Sequence, residues 1–135
     1  MDTRILAAAR ASFAMLLAFT LVNALQPGPG QLGELNDKLW HFLAFYVLAL
    51  NAACAAPGVR LILLAAGLIG LGGLIEALQL LPQIGRSGSL FDVMADVAGI
   101  AAALGPVLVL QWRSRWGAMG PRSATGSRPG RKAQA

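Results

Sequence analysis

Charge is what this chain has least of. Asp, Glu, Lys and Arg make up 13% of its 135 residues and hydrophobic types 56%, whereas a soluble domain carries about 25% charge. So few charged groups cannot cover a globule in polar surface, which points to a membrane protein and removes the need for a compact aqueous core. Cysteine is nearly absent. Cys54 stands alone, which excludes an internal disulfide and a CxxC zinc site, and its apolar setting is that of a small hydrophobe. A single histidine, His41, among carboxylates is a poor hydrolytic zinc set, so neither a metal ion nor a cofactor is expected. The net charge of +5 could suggest nucleic acid, but the basic residues cluster near the chain ends without interleaved aromatics, which argues against that partner.

What the chain has in quantity is long apolar runs. A helix needs about 20 apolar residues to cross the hydrocarbon core, and four segments come close: Ile5–Leu25, Leu39–Ala56, Leu61–Leu81 and Phe91–Trp112. Pro27 to Gly30, Pro57 with Gly58, and Pro82 with the stretch GRSGS separate them. The expected fold is therefore all-α, a polytopic bundle of four transmembrane helices over residues 1–116. An alternative reading of the first span is a signal peptide, with Arg4 and Arg10 ahead of the run and Val22 and Ala24 as a loose cleavage site; the later spans would face the same way.

Direction follows from Lys and Arg, which cytoplasmic loops retain. Four spans put Arg4, Arg10, Arg60, Arg113, Arg115 and the basic residues of the tail on one side, and only Lys38 and Arg86 on the other. Both termini are thus expected in the cytoplasm, with Trp112 and Trp116 anchoring the last helix at its exit. Residues 117–135 hold Gly, Pro, Ser and positive charge without apolar period, which predicts a disordered cytoplasmic tail, able to meet anionic lipid.

The same topology sorts the acids. Apart from Asp2, every carboxylate (Glu34, Asp37, Glu76, Asp92, Asp96) falls on the outer side, together with His41. At about 1.5 Å of rise per residue, Lys38 with His41, Glu76 with Gln79, and Asp92 with Asp96 reach one depth, about 5–10 Å below the outer interface. Each pair is three or four residues apart and so shares a helix face. Burying such groups in a membrane costs several kcal/mol without a partner or water, so a mixed-charge cluster among the helix ends is expected. Small residues, Gly67, Gly70, Gly72 and Gly73 on the third span and Ala95, Gly99 and Ala103 on the fourth, offer faces for close packing.

Structural roles compete for some of these residues. Ser89 with Asp92 fits a capping box, Asp37 can cap the second helix, and Lys38 can snorkel to the interface. Phe42, Phe45 and Tyr46 read as packing or interface residues. His41 and Glu76 are harder to assign to structure alone.

Three blocks, DKLWHFLAF (Asp37 to Phe45), EALQ (Glu76 to Gln79) and GRSGSLFDVMADVAG (Gly85 to Gly99), resemble the signature blocks of VanZ-like membrane proteins in order and spacing, over residues 37–105. The family pattern is D-K-x-x-H-x-x-x-F, E-x-x-Q, then G-R with a later D-x-x-x-N-x-x-G. The resemblance implies a compact membrane bundle of the cell envelope and a link to low-level resistance to the glycopeptide teicoplanin. It carries Lys38, His41, Phe45, Glu76, Gln79, Arg86, Asp92 and Gly99 as motif residues. One position departs: Asp96 stands where the pattern has asparagine. Either one carboxyl of the Asp92–Asp96 pair then holds a proton, or Arg86 and Lys38 neutralise both.

Three functions fit. In the first, Lys38, His41, Glu76, Gln79, Arg86, Asp92 and Asp96 bind the headgroup of a membrane lipid, a lipid-linked envelope precursor or an amphiphilic antibiotic, with the two cations clamping phosphate or carboxylate. In the second, the same cluster is enzymatic, His41 serving as general acid or base and Glu76 or Asp92 orienting it; no G-x-S-x-G nucleophile accompanies it. The third, a transporter or oligomeric pore, lacks an acidic relay through the inner halves of the helices. The sequence does not decide whether the chain is an enzyme, nor its oligomeric state.

Overall fold

The structure, a computed structural model, describes residues 2–26, 34–84 and 88–117. Arg86 and most of the expected basic tail lie outside the described residues. Those described form four α-helices and no strand: α1 (Thr3–Ala24), α2 (Glu34–Ala55), α3 (Leu61–Gln79) and α4 (Leu90–Gly117). Each contains a stretch long and apolar enough to cross a membrane.

The helix ends follow local chemistry. Asp2 caps α1, its side chain accepting from the Arg4 amide at 3.0 Å. Ser89 caps α4 as expected, its hydroxyl accepting from the Phe91 amide at 3.2 Å. Two capping expectations are corrected. Asp37 does not cap α2, because that helix begins at Glu34 and leaves Asp37 in its first turn. The Ser89 amide donates at 2.7 Å not to Asp92 but to Glu76 Oε2 on α3, so the reciprocal arm of the cap comes from another helix. Pro106 lies within α4, where it removes one backbone hydrogen bond, a loss that membrane helices tolerate.

The exterior is apolar: Ile5, Met15, Phe19, Leu63, Leu74 and Leu110 are among many exposed large hydrophobics. The buried core is narrow and made of Phe45, Leu48, Ala49 and Ala52 of α2, Leu68 and Ile75 of α3, and Ile100, Ala103 and Leu104 of α4. Phe45 is a core residue, as expected, and the rings of Phe42 and Tyr46 stack at 6.2 Å. In lipid, contact between helices replaces contact with equally apolar chains, so close packing and hydrogen bonds must hold the bundle.

The closest packing is between α2 and α4, the most extensive interface of the bundle, which corrects the expectation of a seam formed by the glycines of the third helix. A Cβ at Gly99 would run into the Phe42 carbonyl oxygen and come within 3.0 Å of the Tyr46 amide nitrogen. Both are backbone atoms of α2 and cannot swing aside. On α3 only Gly72 is tightly packed, a Cβ there lying 2.5 Å from Asp96 Oδ2, whereas Gly67, Gly70 and Gly73 have nothing within 4 Å.

α1 has no fully buried residue and rests on the bundle through Phe13, Leu16, Leu17, Leu21 and Ala24. A polar bond fixes it in each half: Arg10 Nε donates to Ala55 O at 3.3 Å, and Gln79 Nε2 donates to Ala24 O at 2.9 Å. These contacts make α1 parallel to α3 and antiparallel to α2. The C-termini of α1 and α3 and the N-termini of α2 and α4 therefore share one end of the bundle.

Candidate functional site

At that shared end the bundle buries polar groups. His41, Glu76, Gln79, Asp92 and Asp96 are each 9% exposed or less. They come from the first turns of α2 and α4 and the last turn of α3, so the convergence expected from equal depth is present.

His41 is at the centre. Its Nδ1 lies 2.9 Å from Asp96 Oδ1, and its Nε2 lies 3.9 Å from Glu76 Oε1. With Asp96 ionised, His41 Nδ1–H donates in the short contact and Asp96 Oδ1 accepts. That bond fixes the ring and turns Nε2 toward Glu76. Glu76 is anchored through its other oxygen, Oε2, by the Ser89 amide. Gly72 admits Asp96: the missing side chain at this point of α3 leaves the room that the carboxyl of α4 occupies.

Two carboxylate oxygens, Glu76 Oε1 and Asp96 Oδ2, are buried without a hydrogen-bond partner among the described residues. A buried polar atom left unsatisfied costs about 1–3 kcal/mol, and more when charged. The site thus has acceptor capacity that the described protein groups do not use, and it suits a hydrogen-bond donor or a cation.

The remaining expected residues divide. Asp92 is buried beside His41, the two in one cluster with Asp37. Lys38 is half-buried, and its ammonium stands 5.9 Å from the centre of the Phe91 ring, a cation–π distance. Gln79 uses its amide nitrogen to hold the end of α1, so part of its capacity is structural. Arg86 lies outside the described residues.

Asp37 was missed as a site residue by the sequence reading, which treated it as a cap. Its spacing of four from His41 carried the signal, since residues i and i+4 share a helix face. The pairing of Gly72 with Asp96 had no such signal, because it depends on how α3 and α4 are rotated against each other.

Comparison with family models, curated proteins and solved structures finds no match to this chain, so its site rests on its own residues and geometry.

Proposed function

We propose that this chain is a VanZ-like integral membrane protein of the bacterial cell envelope. In this reading it is set in the cytoplasmic membrane with both termini in the cytoplasm, and its polar end binds the headgroup of an amphiphilic or lipid-linked envelope molecule at the outer face. The observation that carries the reading is the burial of His41, Glu76, Asp92 and Asp96 together at one end of a bundle whose exterior is apolar. Ionisable groups in a membrane are costly and are retained where they have work to do. The spacing of the three sequence blocks and the placement of basic residues support the family and the orientation, and the link to glycopeptide resistance rests on the resemblance alone.

The chemistry narrows the ligand. Glu76 Oε1 and Asp96 Oδ2 are acceptors, so they suit sugar hydroxyls, amides or an ammonium group. Any phosphate falls to Lys38 and Arg86. The test is binding of a polyprenyl-phosphate-linked sugar to the chain purified in detergent, read by native mass spectrometry. Wild type is expected to retain it, with Glu76→Gln and Asp96→Asn each weakening it at least about tenfold, the equivalent of about 1.4 kcal/mol. Equal binding by all three proteins would sink the proposal. Reporter fusions after Ala135 and within residues 27–34 should report opposite sides of the membrane.

A second reading is favoured by the contact between His41 and Asp96. A histidine held by a carboxylate on Nδ1 presents Nε2 as a general base, which suits transfer or hydrolysis at a lipid headgroup. The two readings separate at His41→Ala, which abolishes turnover in an enzyme and only grades affinity in a binding protein.

A further inference from the structure

We infer that the polar end of the bundle is built to hold one divalent transition-metal ion, with zinc the type case, between Asp37 and His41 of α2 and Asp92 of α4, with the Glu76 carboxylate of α3 facing His41 Nε2 beside it. The inference goes beyond the ligand-binding reading and stands without it.

The first support is proximity. One ring nitrogen of His41 and one carboxylate oxygen each from Asp37 and Asp92 lie within 4.8 Å of one another. Zinc bonds of about 2.0–2.2 Å place tetrahedral ligand atoms about 3.4 Å apart, so small side-chain rotations close the set. Asp37 and His41 are four residues apart on α2, which gives two ligands from one helix face.

The second support is the contact between His41 Nε2 and Glu76 Oε1. With Nδ1 committed to Asp96, Nε2 of a neutral ring is an acceptor, and it faces another acceptor at 3.9 Å. Glu76 is 6% exposed, and its Oε1 has no hydrogen-bond partner among the described residues. Positive charge at this point, carried by the ring or by an ion bonded to Nε2, would meet the Glu76 carboxylate. A proton on Nε2 is too far from Oε1 for a hydrogen bond at that distance. A metal ion bonded to Nε2 would supply that charge, and a small side-chain rotation would bring Oε1 from 3.9 Å to tetrahedral spacing.

The third support is the partner on the other ring nitrogen. Metal-bound histidines commonly donate their second N–H to a carboxylate, which fixes the tautomer and raises the basicity of the ligating nitrogen. Asp96 at 2.9 Å from Nδ1 is in that position. A donor set of one imidazole with carboxylates fits zinc, iron(II) or manganese(II) better than magnesium or calcium, which take oxygen ligands. A 2+ charge would also offset the carboxylates that the bundle crowds together.

The sequence reading set metal aside because the chain has a single histidine. That same fact makes the test clean. Tag-free chain in detergent, stripped with chelator and titrated with zinc chloride, is expected to bind one zinc per chain. Its zinc X-ray absorption spectrum should contain the scattering of one imidazole, which can only be His41. His41→Ala and Asp92→Asn should each weaken binding by about 30-fold or more, and Asp96→Asn by about tenfold, as for outer partners of metal ligands. Gly70→Ala, remote from the cluster, should bind as wild type does.

Absence of saturable zinc, a spectrum without imidazole, or full affinity in both His41→Ala and Asp92→Asn would overturn the inference. Should these variants fail to fold, the wild-type stoichiometry and spectrum decide it. Zinc binding without binding of the polyprenyl-linked sugar would remove the proposed function and leave the metal site. The converse result would do the reverse.

Discussion

The two ends of the bundle are built on opposite plans. At the polar end, His41, Glu76, Asp92 and Asp96 are buried between helices, and His41 contacts both Asp96 and Glu76 across them. At the other end Arg60 and Arg113 are exposed, and a groove of about 520 Å³ is lined by Ala53, Pro57, Arg60, Leu61, Leu108 and Trp112. Charge at an exposed end costs little, because long basic side chains can reach water. Charge buried between helices is costly, and each such group has been given a helix and a neighbour. One end thus exposes its charge, and the other buries it.

Four changes test that difference, and the largest effect should come from the packing beneath the polar end. Gly99→Leu drives a side chain into the Phe42 and Tyr46 backbone. It is expected to cost about 3 kcal/mol or more, the upper range for overpacking, seen as a lower unfolding temperature in detergent. A cost below about 1 kcal/mol would mean that α2 and α4 do not approach as described.

Next comes Asp96→Ala, which strips the partner from His41 Nδ1 and opens space beside Gly72. About 2–3 kcal/mol should be lost, as for a bond to a charged group with its donor left buried. Asp96→Asn keeps an oxygen acceptor and should lose less than half of that in the same unfolding assay. Equal losses would show that charge, and not the hydrogen bond, fixes the ring.

A smaller effect is expected of Gln79→Leu, which removes the bond to Ala24 O. About 1 kcal/mol should go, and the change should be local: faster protease cleavage after α1 with little change in the remaining helices. Smallest of all is Arg60→Ala at the opposite end, where the side chain is exposed. Stability should move by no more than about 0.5 kcal/mol, while reporter fusions test whether orientation becomes mixed. A loss as large as that of Asp96→Ala would erase the contrast between the ends.

Much of this could be read from residues alone. Runs of about 20 apolar residues fix crossing helices because a backbone in hydrocarbon must satisfy its own hydrogen bonds. Proline and glycine mark the breaks, and the alternation of spans sends His41, Glu76, Asp92 and Asp96 to one level. Phe45 as core and Ser89 as cap follow from the same local rules. The glycines of α3 misled because composition says where a close approach is allowed and not where it occurs. Gly67, Gly70 and Gly73 permit a seam that α4 does not use.

Among the described residues, the sequence by itself determined the four helices, their alternating direction and the shared level of His41, Glu76, Asp92 and Asp96, since rise per residue is a constant of the helix. Only the tertiary structure decided which of these groups touch. The rotation of each helix about its axis, set by Gly99 against α2 and by Gly72 beside Asp96, turned His41 so that one ring nitrogen meets Asp96 and the other faces Glu76. The spacing of the polar pairs marks the face that turns inward, but which atoms then meet has no local signature, because only the mutual fit of the packed helices sets it.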